Sequence, residues 1–190
     1  AEERALSRLR SLLALKKRRP ELLIAITGCL VPPGKAPIQE HFPGVDMFFP
    51  PQDFSRLVSW AKGCHLGNGE APLLTATAPS ALVSVIQGCN SFCTYCIVPY
   101  RRGREKSRPI AEVVAEVEAR ARLGVREVVL LGQNVNAYGG DLPESPDLAD
   151  LLAVVSRVEG IRRIRCLTSH PKDITDSFIH RVASLEKVCP

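Results

Sequence analysis

The sequence predicts an α/β protein built on parallel strands, and three observations carry that reading. Beyond residue 80, short apolar runs alternate three times with amphipathic helical patterns. Each of those runs leads into a polar loop. A second, shorter α/β pattern occupies residues 1–62, and a Gly-, Asn- and Pro-containing stretch over residues 63–80 reads as a linker.

Taken in order, residues 1–19 carry Ala5, Leu6, Leu9, Leu12, Leu13 and Ala14 at helical spacing, with Arg and Lys opposite and Pro20 closing the pattern. Residues 22–26 read as a buried strand that ends at Thr27-Gly28-Cys29. Pro32, Pro33, Gly34 and Pro37 break the next segment, so any helix there is short. Residues 45–49 give a second strand and residues 54–62 a second helix.

After the linker, residues 82–86 form a strand that runs into a cysteine-rich loop. Residues 109–123 form a helix. Pro109 suits its first turn, Ile110, Val113, Val114, Val117 and Ala121 make one apolar stripe, and Gly124 suits the C-terminal cap. Residues 127–131 are the next strand, followed by Gly132-Gln133-Asn134-Val135-Asn136. Asp147 opens a helix through Val158, which Gly160 closes. Residues 161–167 are a third strand, followed by Thr168-Ser169-His170-Pro171 and a last helix over residues 175–185. The βαβαβα order implies right-handed crossovers and a parallel sheet. Three such units are about half of a (β/α) barrel, or the start of an open doubly wound sheet. In either case reactive groups belong at the carboxyl ends of the strands, so the three polar loops should converge on one face.

The 190 residues suffice for one large domain or two small ones, and a hydrophobic content of 45% fits a soluble globular chain. No stretch approaches the roughly 20 apolar residues of a membrane span, and the opening Ala1-Glu2-Glu3-Arg4 is unlike a signal peptide. Seven cysteines, an odd number with three tightly clustered, argue against a secreted disulfide framework. The reading is cytoplasmic and reducing, with no membrane and with thiols kept for metal. The ends read as those of an excised piece: Ala1 begins inside a helical pattern, and Lys187-Val188-Cys189-Pro190 falls where another strand could start.

Cys89, Cys93 and Cys96 are the most informative residues, a Cys-x₃-Cys-x₂-Cys directly after a strand. A structural zinc or a storage-type iron–sulfur cluster normally takes four protein ligands. A cubane cluster held by three leaves one iron open for chemistry. The next His or Cys after Cys96 is Cys166, so no fourth ligand is near in sequence. The other reading is a zinc site completed by Cys64, Cys166 or Cys189; apart from that, those three read as buried thiols. Phe92 and Tyr95, between the ligands, would wall the site from water or serve only in packing.

At this point the chain resembles the radical S-adenosylmethionine enzymes. In that superfamily the three cysteines ligate a [4Fe–4S] cluster, whose fourth iron is chelated by S-adenosylmethionine as the source of a 5′-deoxyadenosyl radical. The stretch from Ile97 to Pro109 is similar to the methylthiotransferase signature. Gly124 to Val128, Leu130 to Asn136 and Arg163 to Pro171 resemble one branch of it, the MiaB-type tRNA 2-methylthio-isopentenyladenosine synthases. The resemblance implies a partial N-terminal α/β methylthiotransferase domain over residues 1–62 and a truncated radical SAM core over residues 81–190. That core would be the first half of a (β/α) barrel with parallel strands. It places Tyr95 against the adenine of the cofactor, and makes Gln133 and Asn134 cofactor contacts. Ser169 and His170 follow as contacts to cofactor or substrate, with a structural hydrogen-bond role open to His170.

The resemblance also assigns Cys29 as one of three ligands to an auxiliary [4Fe–4S] cluster, the other two lying upstream of Ala1; without it, Cys29 reads as a buried hydrophobe. The segment Leu30-Val31-Pro32-Pro33-Gly34 departs from the family pattern and leaves the local helix in doubt. The implied reaction adds a methylthio group to carbon 2 of N(6)-isopentenyladenosine in tRNA, with two clusters in the whole protein and a reductant such as flavodoxin or ferredoxin. Sister enzymes act on threonylcarbamoyladenosine or on ribosomal protein S12, and a zinc-bound nucleic-acid-binding module is the non-enzyme alternative. Arg101, Arg102, Arg104, Lys106 and Arg108 put five cations in eight residues. They suit phosphates of an anticodon stem-loop, which they would position rather than specify, or a solvated loop paired internally to Glu105 and Asp141.

Overall fold

The computed structural model describes residues 2–28, 31, 42–50, 53–64 and 78–189. The chain divides into two compact units, Ala1–Glu70 with Tyr100–Arg102, and Ala71–Pro99 with Gly103–Pro190.

In the first unit, α1 (Glu2–Arg18) follows the leucine stripe, and Lys16, Lys17 and Arg18 in its last turn suit the negative end of the helix dipole. Leu9 is buried among Ile24, Ile26, Val31 and Phe48, with Leu12 and Leu13 packed alongside. β1 (Ala25–Ile26) and β2 (Met47–Phe48) pair in parallel, Ala25 opposite Met47 and Ile26 opposite Phe48. Each pairs over two residues, where the apolar runs predicted five. At the approach to β2 the Asp46 carboxylate takes the Ile24 N–H at 2.7 Å and pairs with Lys16, while the Asp46 N–H donates to the Ile24 carbonyl at 3.0 Å. α2 (Phe54–Gly63) starts where Asp53 accepts the Arg56 N–H at 3.2 Å. Most of the expected linker, and Cys29, lie outside the described residues.

The second unit holds a three-stranded parallel sheet in the order β3 (Ser80–Ser84), β6 (Glu127–Leu131), β7 (Arg163–Leu167). Val188 adds a single parallel bridge to Ile164. Three helices follow the strands: α4 (Ile110–Arg122), α5 (Leu148–Ser156) and α6 (Asp176–Ala183). Val83 of β3, Val128 and Leu130 of β6 and Ile164 of β7 are fully buried with Val113, Val117, Leu151, Leu152 and Val155 of the helices; Phe178 and Val182 of α6 pack on the same cluster. All three helices therefore cover one face. The alternate residues face the other way, and Leu82 is 62% exposed there. Among the described residues the strands follow chain order with helices on one face, an arrangement consistent with part of a (β/α) barrel.

Two features depart from the expected pattern. The first strand ends at Ser84. Val85 donates to Leu131 O at 2.9 Å, and then β4 (Ile86–Gln87) peels off to pair antiparallel with β5 (Lys106–Ser107). Between them lies a short helix, α3 (Val98–Arg102), that its two-residue apolar content did not announce. The result clasps the cysteine loop at its base. Among the described residues, no helix is long and apolar enough to cross a membrane.

Candidate metal centre

The loop from Gly88 to Cys96 starts in a left-handed backbone conformation that favours glycine. Gly88 has φ +76°, and a Cβ there would stand 2.0 Å from the Arg104 carbonyl oxygen. That close approach brings the Cys89 N–H to the Gly103 carbonyl at 3.2 Å. Asn90 then locks the loop to the far side of the clasp: its N–H donates to Glu105 Oε1 at 2.8 Å, and its Nδ2 to Glu105 Oε2 at 2.9 Å. Phe92, at φ +46°, turns the chain once more, and the Arg104 guanidinium lies 4.4 Å from the centre of its ring.

The three cysteines differ in their surroundings. Cys89 is buried, and its Sγ accepts the Ser91 N–H at 3.4 Å. Cys93 and Cys96 are half-buried, joined by a Cys96 N–H to Cys93 carbonyl bond at 2.9 Å. Cys93 Sγ lies 3.7 Å from His170 Nε2. Among the described residues, no group of three or more His, Cys, Asp or Glu side chains gathers so as to hold a metal ion. A mononuclear zinc needs its donors on one small centre, about 2.3 Å from each sulfur. A cubane attaches each thiolate to a different iron. One loop carries all three thiols, and the buried one accepts a backbone N–H, a donor set that such a cluster could take. The hydroxyl of Ser91, between the first two cysteines in sequence, is buried without a hydrogen-bond partner.

The other two polar loops meet this one. Gln133 Oε1 accepts the Gly88 N–H at 2.7 Å. Asn134 is only 2% exposed: its Nδ2 donates to Asp173 Oδ2 at 2.6 Å and its Oδ1 accepts the His170 N–H at 3.2 Å. Val135 donates to the Thr168 carbonyl at 2.9 Å. The loop after β6 is thus the middle member, holding the cysteine loop with one side chain and the histidine loop with the next. Gly132 is small for the same reason, since a Cβ there would meet Ile86 Cγ2 at 2.4 Å.

The remaining candidates disperse. Tyr95 is 88% exposed. Ser169 lines an apolar cavity of about 420 Å³ with Phe178, Val182, Cys166 and Cys189, whose lining includes none of the three clustered cysteines. Burial pushes the Cys166 thiol up to about 11, which is the behaviour of a packed thiol rather than a ligand. Arg101 and Arg102 end α3 within the stretch grouped with the first unit. Arg104 covers Phe92, and Lys106 is exposed. Arg108 turns inward, Nη1 donating at 2.8 Å both to Glu116 Oε2 and to the Ser84 carbonyl. Glu105 and Asp141, the partners expected for the basic run, hold Asn90 and the Ser107 N–H instead.

Sequence reasoning missed the Asn90–Glu105 clasp and the knot around Ser107. There Ser107 Oγ accepts the Gly139 N–H at 2.9 Å, and the Tyr138 hydroxyl donates to the Arg108 carbonyl at 2.6 Å. Nothing in residue type flags an Asn–Glu pair fifteen positions apart. The pair of loop glycines Gly88 and Gly103 was the available sign that two backbones pass closely.

These features define a radical SAM core: a parallel half-barrel with three thiols on the loop after its first strand. Residues 83–187, more than half the chain, match the family model described as the Radical SAM superfamily, and the chain belongs to that family. Membership implies S-adenosylmethionine and a [4Fe–4S] cluster. Over its whole length the chain is 51% identical to a tRNA-2-methylthio-N(6)-dimethylallyladenosine synthase of Dehalococcoides mccartyi, covering 44% of that protein. It is 45% identical to one of the same name from Dictyoglomus thermophilum (46% covered) and 41% identical to one from Trichlorobacter lovleyi (47% covered). The chain therefore spans under half the length of the curated relatives it matches.

Proposed function

We propose that this chain belongs to an enzyme that adds a methylthio group to carbon 2 of N(6)-dimethylallyladenosine in tRNA. The observation that carries the reading is the match, along the whole chain, to proteins bearing that name. In this reading the second unit is the first half of the radical SAM barrel and residues 1–62 are part of a methylthiotransferase domain. Cys89, Cys93 and Cys96 hold the [4Fe–4S] cluster. When bound, that group supplies one-electron cleavage of S-adenosylmethionine to a 5′-deoxyadenosyl radical.

The chain's own residues do the rest. Gln133 and Asn134 fix the three loops to one another, and the remaining polar atom of Gln133, its Nε2, is left for the cofactor. Tyr95, 88% exposed between two of the ligands, would lie against the adenine of the bound cofactor. Cys29 contributes to a second, auxiliary cluster. Arg101, Arg102, Arg104 and Lys106 meet phosphates of the anticodon stem-loop, while Arg108 serves the fold. Ser169 belongs with the substrate side. The reaction takes place in the cytoplasm and draws electrons from a flavodoxin or ferredoxin.

Anaerobic reconstitution with iron and sulfide tests the cluster: about four irons per chain are expected, lost when all three cysteines become Ala. A colourless protein that takes one zinc instead would identify a zinc-bound module. Mass spectrometry of tRNA nucleosides from a strain lacking the whole gene tests the substrate. Loss of the methylthio group from dimethylallyladenosine is expected; unchanged nucleoside moves the assignment to a sister enzyme.

A further inference from the structure

The contact between Cys93 and His170 joins the loop after β3 to the loop after β7, seventy-seven residues apart. The imidazole is not free to turn. His170 precedes the short 3₁₀ turn Pro171–Asp173 as its cap, and Nδ1 accepts the Lys172 backbone N–H at 3.3 Å. A backbone amide can only donate, so Nδ1 carries no proton and the ring proton sits on Nε2. Nε2 is the atom that faces Cys93 Sγ at 3.7 Å. Asn134 Oδ1 holds the same residue by its main chain, accepting the His170 backbone N–H at 3.2 Å. Asp173 in turn holds Asn134. These contacts together leave an N–H facing the Cys93 sulfur.

We propose that His170 is a positioning residue of the cluster, a fixed hydrogen-bond donor to the Cys93 sulfur that raises the cluster's reduction potential, with Asn134 setting its aim. This rests on the cluster assignment above and changes the expected role of His170 from substrate contact to cluster tuning. The physical reason is that reduction adds negative charge to the cluster and its sulfurs. A donor N–H stabilises the reduced form more than the oxidised one, and hydrogen bonds to sulfur are among the determinants of iron–sulfur potentials. Ser91 supplies a comparable N–H to Cys89, so the His170 donor is the one that a side-chain substitution removes.

The test is a redox titration of the reconstituted chain, followed by the electron paramagnetic resonance signal of the reduced cluster. His170→Phe should retain about four irons per chain and be harder to reduce. The expected shift is about three- to tenfold in the reduction equilibrium, tenfold being about 59 mV for one electron. His170→Gln, which keeps an N–H donor, should recover at least half of the shift. An unchanged potential in His170→Phe overturns the proposal. If that variant loads no iron, the unaltered chain decides: histidine labelled with ¹⁵N should give a weak hyperfine coupling to the reduced cluster that His170→Gln removes. Absence of that coupling also overturns it. Failure of the unaltered chain to bind iron would instead count against the cluster assignment itself.

Discussion

Gln133 Oε1 accepts the Gly88 N–H at 2.7 Å, so a side chain at the end of β6 holds the residue just before the first cysteine of the loop after β3. Gly88 is buried, and its N–H has no water to fall back on. Gln133→Ala should therefore cost about 1–3 kcal/mol, the usual penalty for an orphaned buried donor. Gln133→Glu keeps the acceptor and should cost less. Urea unfolding of the two variants measures this, and equal losses would show that the bond is not what matters.

Gly88 and Gly124 both have positive φ, yet only one is crowded: a Cβ at Gly88 meets Arg104 O at 2.0 Å, and one at Gly124 meets nothing within 4 Å. Gly124→Ala bears the left-handed strain alone, about 1–2 kcal/mol. Gly88→Ala adds a clash that separates the cysteine loop from its clasp, for a total of about 3 kcal/mol or more. The same variant should lose iron while Gly124→Ala retains it. Equal iron content in the two would contradict the close approach.

α5 begins with a reciprocal cap. Asp147 Oδ1 accepts the Asp150 N–H and Asp150 Oδ2 accepts the Asp147 N–H, each at 2.9 Å, and Arg181 of α6 pairs with both carboxylates. Asp147→Ala should cost about 1 kcal/mol. The Asp147 N–H, with help from Arg181 and against partial burial, holds the Asp150 carboxyl below its ordinary 3.8. A depressed carboxyl stabilises the fold above its unfolded value, and that contribution disappears as pH falls through the lower folded value. The stability gap between the parent and Asp150→Asn should therefore be full at neutral pH and close below pH 3.8. A gap that is constant from neutral to strongly acid pH would rule out a titrating cap.

Cys166 is expected to be an unreactive thiol. With its pKa pushed up to about 11 by burial, roughly one thiol in a thousand is ionised at pH 8, and the thiolate is the reactive form. Because the folded state keeps the proton, its stabilising effect is complete below the ordinary value of 9.0 and is lost as pH rises towards 11. Alkylation of the folded chain at pH 8, read by peptide mass spectrometry, should leave Cys166 unmodified until urea is added. Prompt labelling in the folded state would show the site open.

The elements that could be read in advance are those whose cause is local. The α1 and α4 stripes, the helix start at Asp147 and the continuous apolar run of β6 depend on neighbours within a few residues, and each falls close to where its pattern put it. The bend after Ser84 was not legible. Val85 and Ile86 are as apolar as a continuing strand, yet after Val85 the chain leaves the sheet and Ile86 and Gln87 pair antiparallel with Ser107 and Lys106. Arg108 shows the same limit from the opposite side: it ends a run of cations that looks exposed, yet Glu116, one helix face away, turns it inward.

By itself the sequence determined the inventory: alternating strands and helices, three thiols on one loop, and polar loops at the strand ends. Their periods and spacings are properties of the chain written in one dimension. Tertiary structure decided what those groups touch. All three helices came to cover one face of the sheet. Gly88 let two backbones pass, Gln133 and Asn134 became ties between loops, and His170 came to face Cys93. Those pairings join residues tens of positions apart, and only the packing of β3, β6 and β7 side by side brings the loops close enough for single hydrogen bonds to choose among them.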